Sequence, residues 1–257
     1  KLLNYFYILV FLFCSFLMGS AYAQDVEENK SISTDNNNRQ DFTDNDLSLT
    51  ITDSATLTRT GQFAIDIKTF NNATVTVNPG STVTSTSHNT IQGKNQSGLT
   101  VTNSGTINAG GSKAINLLNA QNSTVTNNAG GIIKSNTNTI TFTENSGTGN
   151  IVTINNYGEI YAYETDPTAD SAAIKSEADT DNITIINNSG GYIHSNNGNS
   201  NVIQGSTVFI ASVSNGTLTN SGTIENKAGT DAYVLGVAGS GVTVTLRDKG
   251  KVIGKIN

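Results

Sequence analysis

The chain has 257 residues, of which 35% are hydrophobic, 7% aromatic and only 13% charged, with one cysteine, two prolines and no tryptophan. An average soluble domain carries roughly 25% charged residues, so the composition argues against a compact core with a charged shell and for an elongated, repetitive chain in which Asn, Thr, Ser and Gly fill the surface. The net charge of −6 is concentrated between Gln24 and Asp46, where seven acids face two bases, while thirteen acids and eleven bases occur from Leu47 onward; with no basic stripe to meet a phosphate backbone, nucleic acid is excluded as a partner.

The chain begins with Lys1, a mostly apolar run over 2–18, and Gly19-Ser20-Ala21-Tyr22-Ala23. A basic start, an apolar middle and an Ala-x-Ala ending predict a secretory signal peptide over 1–23, cut after Ala23 so that Gln24 leads the mature protein. An uncleaved anchor is the weaker alternative, because about 17 apolar residues are at the lower limit for spanning a bilayer. Cys14 leaves with the signal. The mature chain must then be held by backbone ladders and stacking, without the disulfides on which small secreted domains rely. Residues 24–46 are polar, acidic and Asn-rich, and read as a flexible acidic leader or as an irregular N-terminal cap of the repeats that begin at Leu47.

Residues 47–257 repeat one pattern. Leu99-Thr-Val-Thr-Asn103-Ser-Gly105-Thr-Ile107 is an alternating strand, an Asn-x-Gly turn and a second strand. The turn recurs as a column at Asp53, Asn78, Asn103, Asn128, Asn156, Asn188, Asn220 and Asp248, spaced 25, 25, 25, 28, 32, 32 and 28 residues apart. Its glycines are Gly80, Gly105, Gly130, Gly158, Gly190, Gly222 and Gly250. Asn tolerates left-handed backbone and Gly takes positive φ without steric cost, so the triplet redirects a strand in few residues. An apolar position comes after the turn (Ile107, Ile132, Ile160, Ile224, Val252), and a third apolar column runs Ile65, Ile91, Ile115, Ile140, Ile174, Ile203 and Val234. Three apolar strand positions per period describe a three-sided coil. A meander would instead turn every 8–12 residues or so. The prediction is an all-β fold, a single-stranded right-handed parallel β-helix of about eight coils with aligned Asn ladders. In the coils at Val75/Val77 and Val125 the alternation is offset by one residue against the turn, so the register there reads as variable.

Motifs of chemistry are sparse. His88 and His194 are far apart, with no Gly-x-Ser-x-Gly elbow, no H-E-x-x-H and no phosphate-binding Gly-rich loop; both histidines are expected to be solvated near strand ends, and no catalytic residue, cofactor or metal is predicted. The longest coils hold an insertion, and Tyr161, Tyr163, Glu164, Asp166 and Asp170 are expected to leave the wall as a candidate contact loop, since Pro167 cannot donate to an interior ladder. Glu177, Asp179 and Asp181 extend its acidic character, and a carboxylate pair about 5 to 10 Å apart on one face is what a polysaccharide lyase or glycosidase would require. Thr-x-Thr pairs run from Thr50/Thr52 to Thr243/Thr245, and a flat threonine array could order water as ice-binding solenoids do. The replacements at Thr153/Asn155, Ile185/Asn187 and Thr245/Arg247 break that column and predict ordinary solvated strand faces.

The signal peptide, Asn-Ser-Gly-Thr-Ile at 103–107 and 220–224, Asn-Tyr-Gly-Glu-Ile at 156–160 and the ending Lys249-Gly-Lys-Val-Ile-Gly-Lys-Ile-Asn257 together resemble the passenger domains of Gram-negative autotransporters. The resemblance covers about 47–257. It implies a β-helix displayed on the cell surface or secreted, an outer-membrane translocator barrel as partner in cis or in trans, and adhesion to a host or neighbouring cell, a glycan or matrix. One departure stands out. A transmembrane barrel needs many strands of about 10 residues, and the sequence still reads as a coil at Asn257, which predicts either a fragment or a barrel on a separate polypeptide.

Overall fold

A computed structural model describes residues 23–143, 151–164, 170–177, 182–197, 203–211, 215–238, 241–247 and 249–257. The predicted signal segment up to Tyr22, with Ala21, and Asp166, Asp179, Asp181 and Asp248 lie outside the described residues. Short strands of two to six residues succeed one another into three parallel sheets, and each strand pairs with its equivalent one coil away. Among the described residues, sheet 1 has ten strands, from Gln24–Val26 to Lys255–Ile256. Sheet 2 has nine, from Lys30–Ile32 to Val242–Leu246, and sheet 3 has eight, from Thr56–Arg59 to Lys251–Ile253. The fold is a parallel β-solenoid.

Alternation explains which way each side chain faces. In sheet 2, Leu49, Val75, Val101, Val125, Ile154, Ile185 and Leu218 stand in register and are at most 1% exposed. Leu57, Val83, Ile107, Ile133, Ile160, Ile193 and Ile224 form the matching file of sheet 3, and Ile65, Ile91, Ile115, Ile140, Ile174, Val208 and Leu235 that of sheet 1. The three files meet in one continuous apolar core, each buried side chain worth roughly 1.5–3 kcal/mol of transfer free energy. On the last rung Val244, Leu246 and Ile256, at the inward positions of Leu218, Asn220 and Leu235, are 40 to 59% exposed, and Ile253, at the outward position of Glu225, is 40% exposed.

Three expectations change in detail. Residues 24–46 are not a flexible leader: Gln24–Val26 and Gln40–Phe42 pair in sheet 1 and Lys30–Ile32 pairs with Ser48–Ile51 in sheet 2, so this segment is built into the ladders. Its buried Val26, Ile32 and Phe42 supply the apolar contacts. The third apolar column passes through Val208 and Leu235, not Ile203 and Val234; Ile203 opens a 3-10 turn over Ile203–Gly205.

The single turn column resolves into two turn lengths. Between sheets 2 and 3, Asn103 and Thr106 are separated by two residues, whereas Asn127 and Ile132 are separated by four. Backbone pairing aligns Val77, Asn103, Asn127, Asn156, Asn187 and Asn220. Asn78, Asn128 and Asn188 therefore lie one step beyond the ladder position, and the inward residue after the long turn is Ile133 instead of Ile132. The apparent slip at Val75/Val77 and Val125 is a change of turn length, and the strand register is constant. Gly130 in the long turn has φ 80, as expected for an Asn-x-Gly turn. Gly105 has no positive φ; a Cβ there would collide with the carbonyl oxygens of Ser81 and Asn78 on the preceding coil, and close backbone approach is what requires glycine.

The outward positions of sheet 2 form two files. One contains Ser48, Thr74, Thr100, Thr124, Thr153, Thr184, Thr217 and Thr243; the other Thr50, Thr76, Thr102, Thr126, Asn155, Ile186, Thr219 and Thr245. One of the three expected breaks vanishes once this register is used, since the last rung presents Thr243 and Thr245 and not Arg247; the other two remain in the second file as Asn155 and Ile186.

Candidate contact face

The outer face of sheet 3 changes character along the solenoid. Its first rungs present Thr56/Thr58, Thr82/Thr84 and Thr106/Asn108, and the rungs of the long coils present Ile132/Lys134, Glu159/Tyr161, Tyr192/His194 and Thr223/Glu225. Rungs about 4.8 Å apart bring residues 30 or more apart in sequence into contact. The Tyr161 and His194 rings stack at 4.6 Å between centroids, 9° from parallel, and Tyr192 lies 4.4 Å from His194. Lys134 sits 6.0 Å from the centroid of Tyr161 and Lys227 5.0 Å from that of Tyr192, so a cation closes each end of the aromatic group.

Charges hold these rings in place. His194 Nε2 is 2.8 Å from Glu159 Oε1 and 3.4 Å from Lys227 Nζ. The Tyr192 hydroxyl donates to Glu225 Oε2. His194 is only 3% exposed, and its Nδ1 has no hydrogen-bond partner. Burial pushes the imidazole pKa down; the hydrogen bond with Glu159 opposes that shift and the charge of Lys227 adds to it. Burial and the Glu225 carboxylate push the Tyr192 phenol upward, so it remains a hydrogen-bond donor. The expectation of a solvated His194 is corrected by these contacts, while His88 is exposed beside Ser87.

The predicted loop residues do not act together. Tyr161 and Ala162 stay in the wall within Glu159–Ala162. Tyr163 turns back to donate its hydroxyl to the Ala109 carbonyl at 3.0 Å. Glu164 accepts from Asn136 at 3.3 Å, Glu177 from Thr143 at 3.0 Å, and Asp170 pairs with Lys175 at 2.8 Å. Each of these acids has its own amide, hydroxyl or basic neighbour, and among the described residues no group of three or more His, Cys, Asp or Glu is placed to hold a metal ion.

A second arrangement lies on sheet 1. Asp41 and Asp66 are in-register neighbours on adjacent rungs. Asp41 is 2.5 Å from Arg39 and 3.3 Å from Lys68. Burial, with a smaller contribution from Asp41, raises the Asp66 carboxyl against the opposing hydrogen bond from the Lys68 amide. Neither this pair nor the His194 group stands out in sequence, because the Asp41–Asp66, Tyr161–His194 and Glu159–His194 contacts each join residues a coil or more apart, and only the register brings them together.

The fold and these faces define a parallel β-solenoid with an aromatic and charged patch on one side of a rigid wall. Comparison with protein-family models, with curated proteins and with solved structures returns no match to this chain.

Proposed function

We propose that this is a secreted, cell-surface β-helical passenger acting as an adhesin or structural stalk, without catalysis, with the outer face of sheet 3 as its contact surface. The observation that carries the reading is the change on that face from Thr/Thr rungs to the Tyr161–His194–Tyr192 group with Glu159, Glu225 and Lys227. Aromatic residues on a rigid wall offer contact area at little entropic cost, and rings with carboxylates at their edges suit a glycan or matrix protein. The signal-peptide reading and the resemblance to autotransporter passengers support surface display through an outer-membrane barrel, in cis or in trans. The acid–base groups of the patch are already paired with one another, which supports binding over turnover.

The test is adhesion of the folded full chain, immobilised, to cells, matrix proteins and glycans. Tyr161→Ala combined with Glu225→Ala should abolish retention, and Thr84→Lys, on the same sheet beyond the patch, should leave it intact. Equal retention by all three proteins would overturn the assignment of the surface.

A second reading, a polysaccharide-acting enzyme, is favoured by one observation. Asp41 and Asp66 sit on neighbouring rungs, about 4.8 Å apart along the solenoid, Asp41 held beside Arg39 and Asp66 with its carboxyl pKa raised by burial, and two carboxylates this close are what a glycosidase requires. It ranks second because Asp41 is 3% exposed and tied to Arg39. Release of reducing ends from a polysaccharide, lost in Asp66→Asn, would promote it.

A further inference from the structure

We infer that the outer face of sheet 2 is an ice-binding surface. Its two files place sixteen outward positions over eight rungs, thirteen of them Thr, with one Ser, one Asn and one Ile. All sixteen are at least partly exposed. The file from Ser48 to Thr243 carries a hydroxyl on every rung.

Three properties of this array point to crystalline water. The first is its lattice: hydroxyl and methyl groups repeat about every 4.8 Å from rung to rung and about every 6.6 Å from file to file. A two-dimensional repeat of that kind can hold water in fixed positions, and a single file cannot. The second is stiffness. Parallel ladders bind each rung on both sides, β-branched side chains have few χ1 states, and in-register side-chain ladders are among the features that keep many-stranded sheets flat. Thr217 Oγ1 donates to Thr184 Oγ1 at 3.3 Å across two rungs, a contact along the file itself. The third is charge. Sheet 3 presents Lys134, Glu159 and Glu225 outward and sheet 1 presents Asp66, yet none of the sixteen positions on sheet 2 is charged. Strand propensity alone favours Thr on any exposed strand face; it does not account for the absence of charge from all sixteen of these outward positions while the outward faces of the other two sheets carry it. Ions impose their own hydration shells and would disorder a water lattice, so a neutral face is what ice requires.

The site is independent of the sheet 3 patch, and the two can fail separately. The experiment measures thermal hysteresis and inhibition of ice recrystallisation by the folded full chain. Wild-type protein should show both, and Thr102→Lys, at the centre of the array, should reduce hysteresis to less than half. Thr102→Val, which keeps the β-branch and so protects the fold, should also reduce it, and Thr84→Lys on sheet 3 should leave it unchanged. Circular dichroism and melting temperature confirm that each variant is folded. A folded wild-type chain without hysteresis, or one whose hysteresis survives both changes at Thr102, overturns the inference.

Discussion

The Nδ2 of Asn103 donates to the Oδ1 of Asn127 at 2.8 Å, joining two adjacent coils inside the wall. The chain of amides continues from Asn127 to Asn156, Asn187 and Asn220 at 2.8 to 2.9 Å, and all five are fully buried. The same column is apolar before it, at Ile51 and Val77, so Asn103 is the first link and its own Oδ1 has no partner.

The position in this ladder sets the cost of breaking it. Asn127→Val removes the acceptor for Asn103 and the donor for Asn156, and leaves the Gly131 and Glu159 carbonyls short of a donor as well. Each unsatisfied buried group costs about 1–3 kcal/mol, so the loss should be about 2–5 kcal/mol. Asn103→Val likewise takes a donor from two carbonyls, those of Gly105 and Ile132, but it breaks one amide link instead of two and moves the orphaned acceptor from Asn103 to Asn127 without adding another in the ladder. Its loss should be clearly smaller. Urea denaturation of the two variants, compared at constant m-value, decides the order; equal losses would contradict a ladder whose interior matters more than its end.

Glycine serves two purposes at the corner between sheets 2 and 3, and substitution separates them. Gly105→Ala forces a Cβ onto backbone oxygens of Ser81 and Asn78. Backbone cannot rotate away, so the coils must part, at a cost of about 1–3 kcal/mol. Gly130→Ala meets no atom within 4 Å but must hold φ near 80, a strain of about 1–2 kcal/mol that reduced freedom of the unfolded chain partly offsets. Gly105→Ala should therefore give the lower melting temperature, and the reverse order would show that backbone strain outweighs the close approach.

The same corner shows what was readable in the sequence. Alternation at Leu99/Val101 and the recurrence about every 25 residues identify parallel coils, because both arise from local geometry that every coil must satisfy. The phase of each coil was less legible. Aligning the chain on Gly105, Gly130 and Gly158 puts Asn128 in the column; backbone pairing puts Asn127 there, because the longer turn inserts residues that the glycine conceals. That phase decides which Thr residues share a face, and so it decides between broken pairs and two files on sheet 2. The sheet 3 patch was less legible still. Tyr161 could be singled out as an aromatic in a long coil, yet the pairing of His194 with Glu159 spans 35 residues and depends on register that no local signal carries.

The patch makes a prediction about pH. His194 is buried against Tyr161 from the preceding rung and Tyr192 from its own strand, with Glu159, Glu225 and Lys227 as the charged groups facing it. Burial holds its folded pKa below that of the unfolded chain, near 6.5. Between those two values the unfolded chain binds more protons than the folded one, so stability rises with pH through that window and falls on acidification below about 6.5. The neutral imidazole is the form that packs. His194→Gln removes this proton from the balance while leaving every carboxylate in place. The drop in melting temperature from pH 7.5 to pH 5.5 should therefore be smaller in the variant than in the wild type, even though the variant starts from a lower value. If both proteins lose the same amount over that interval, His194 titrates alike in the folded and unfolded chains, and the buried, neutral imidazole is not what holds the Tyr161–Tyr192 group together.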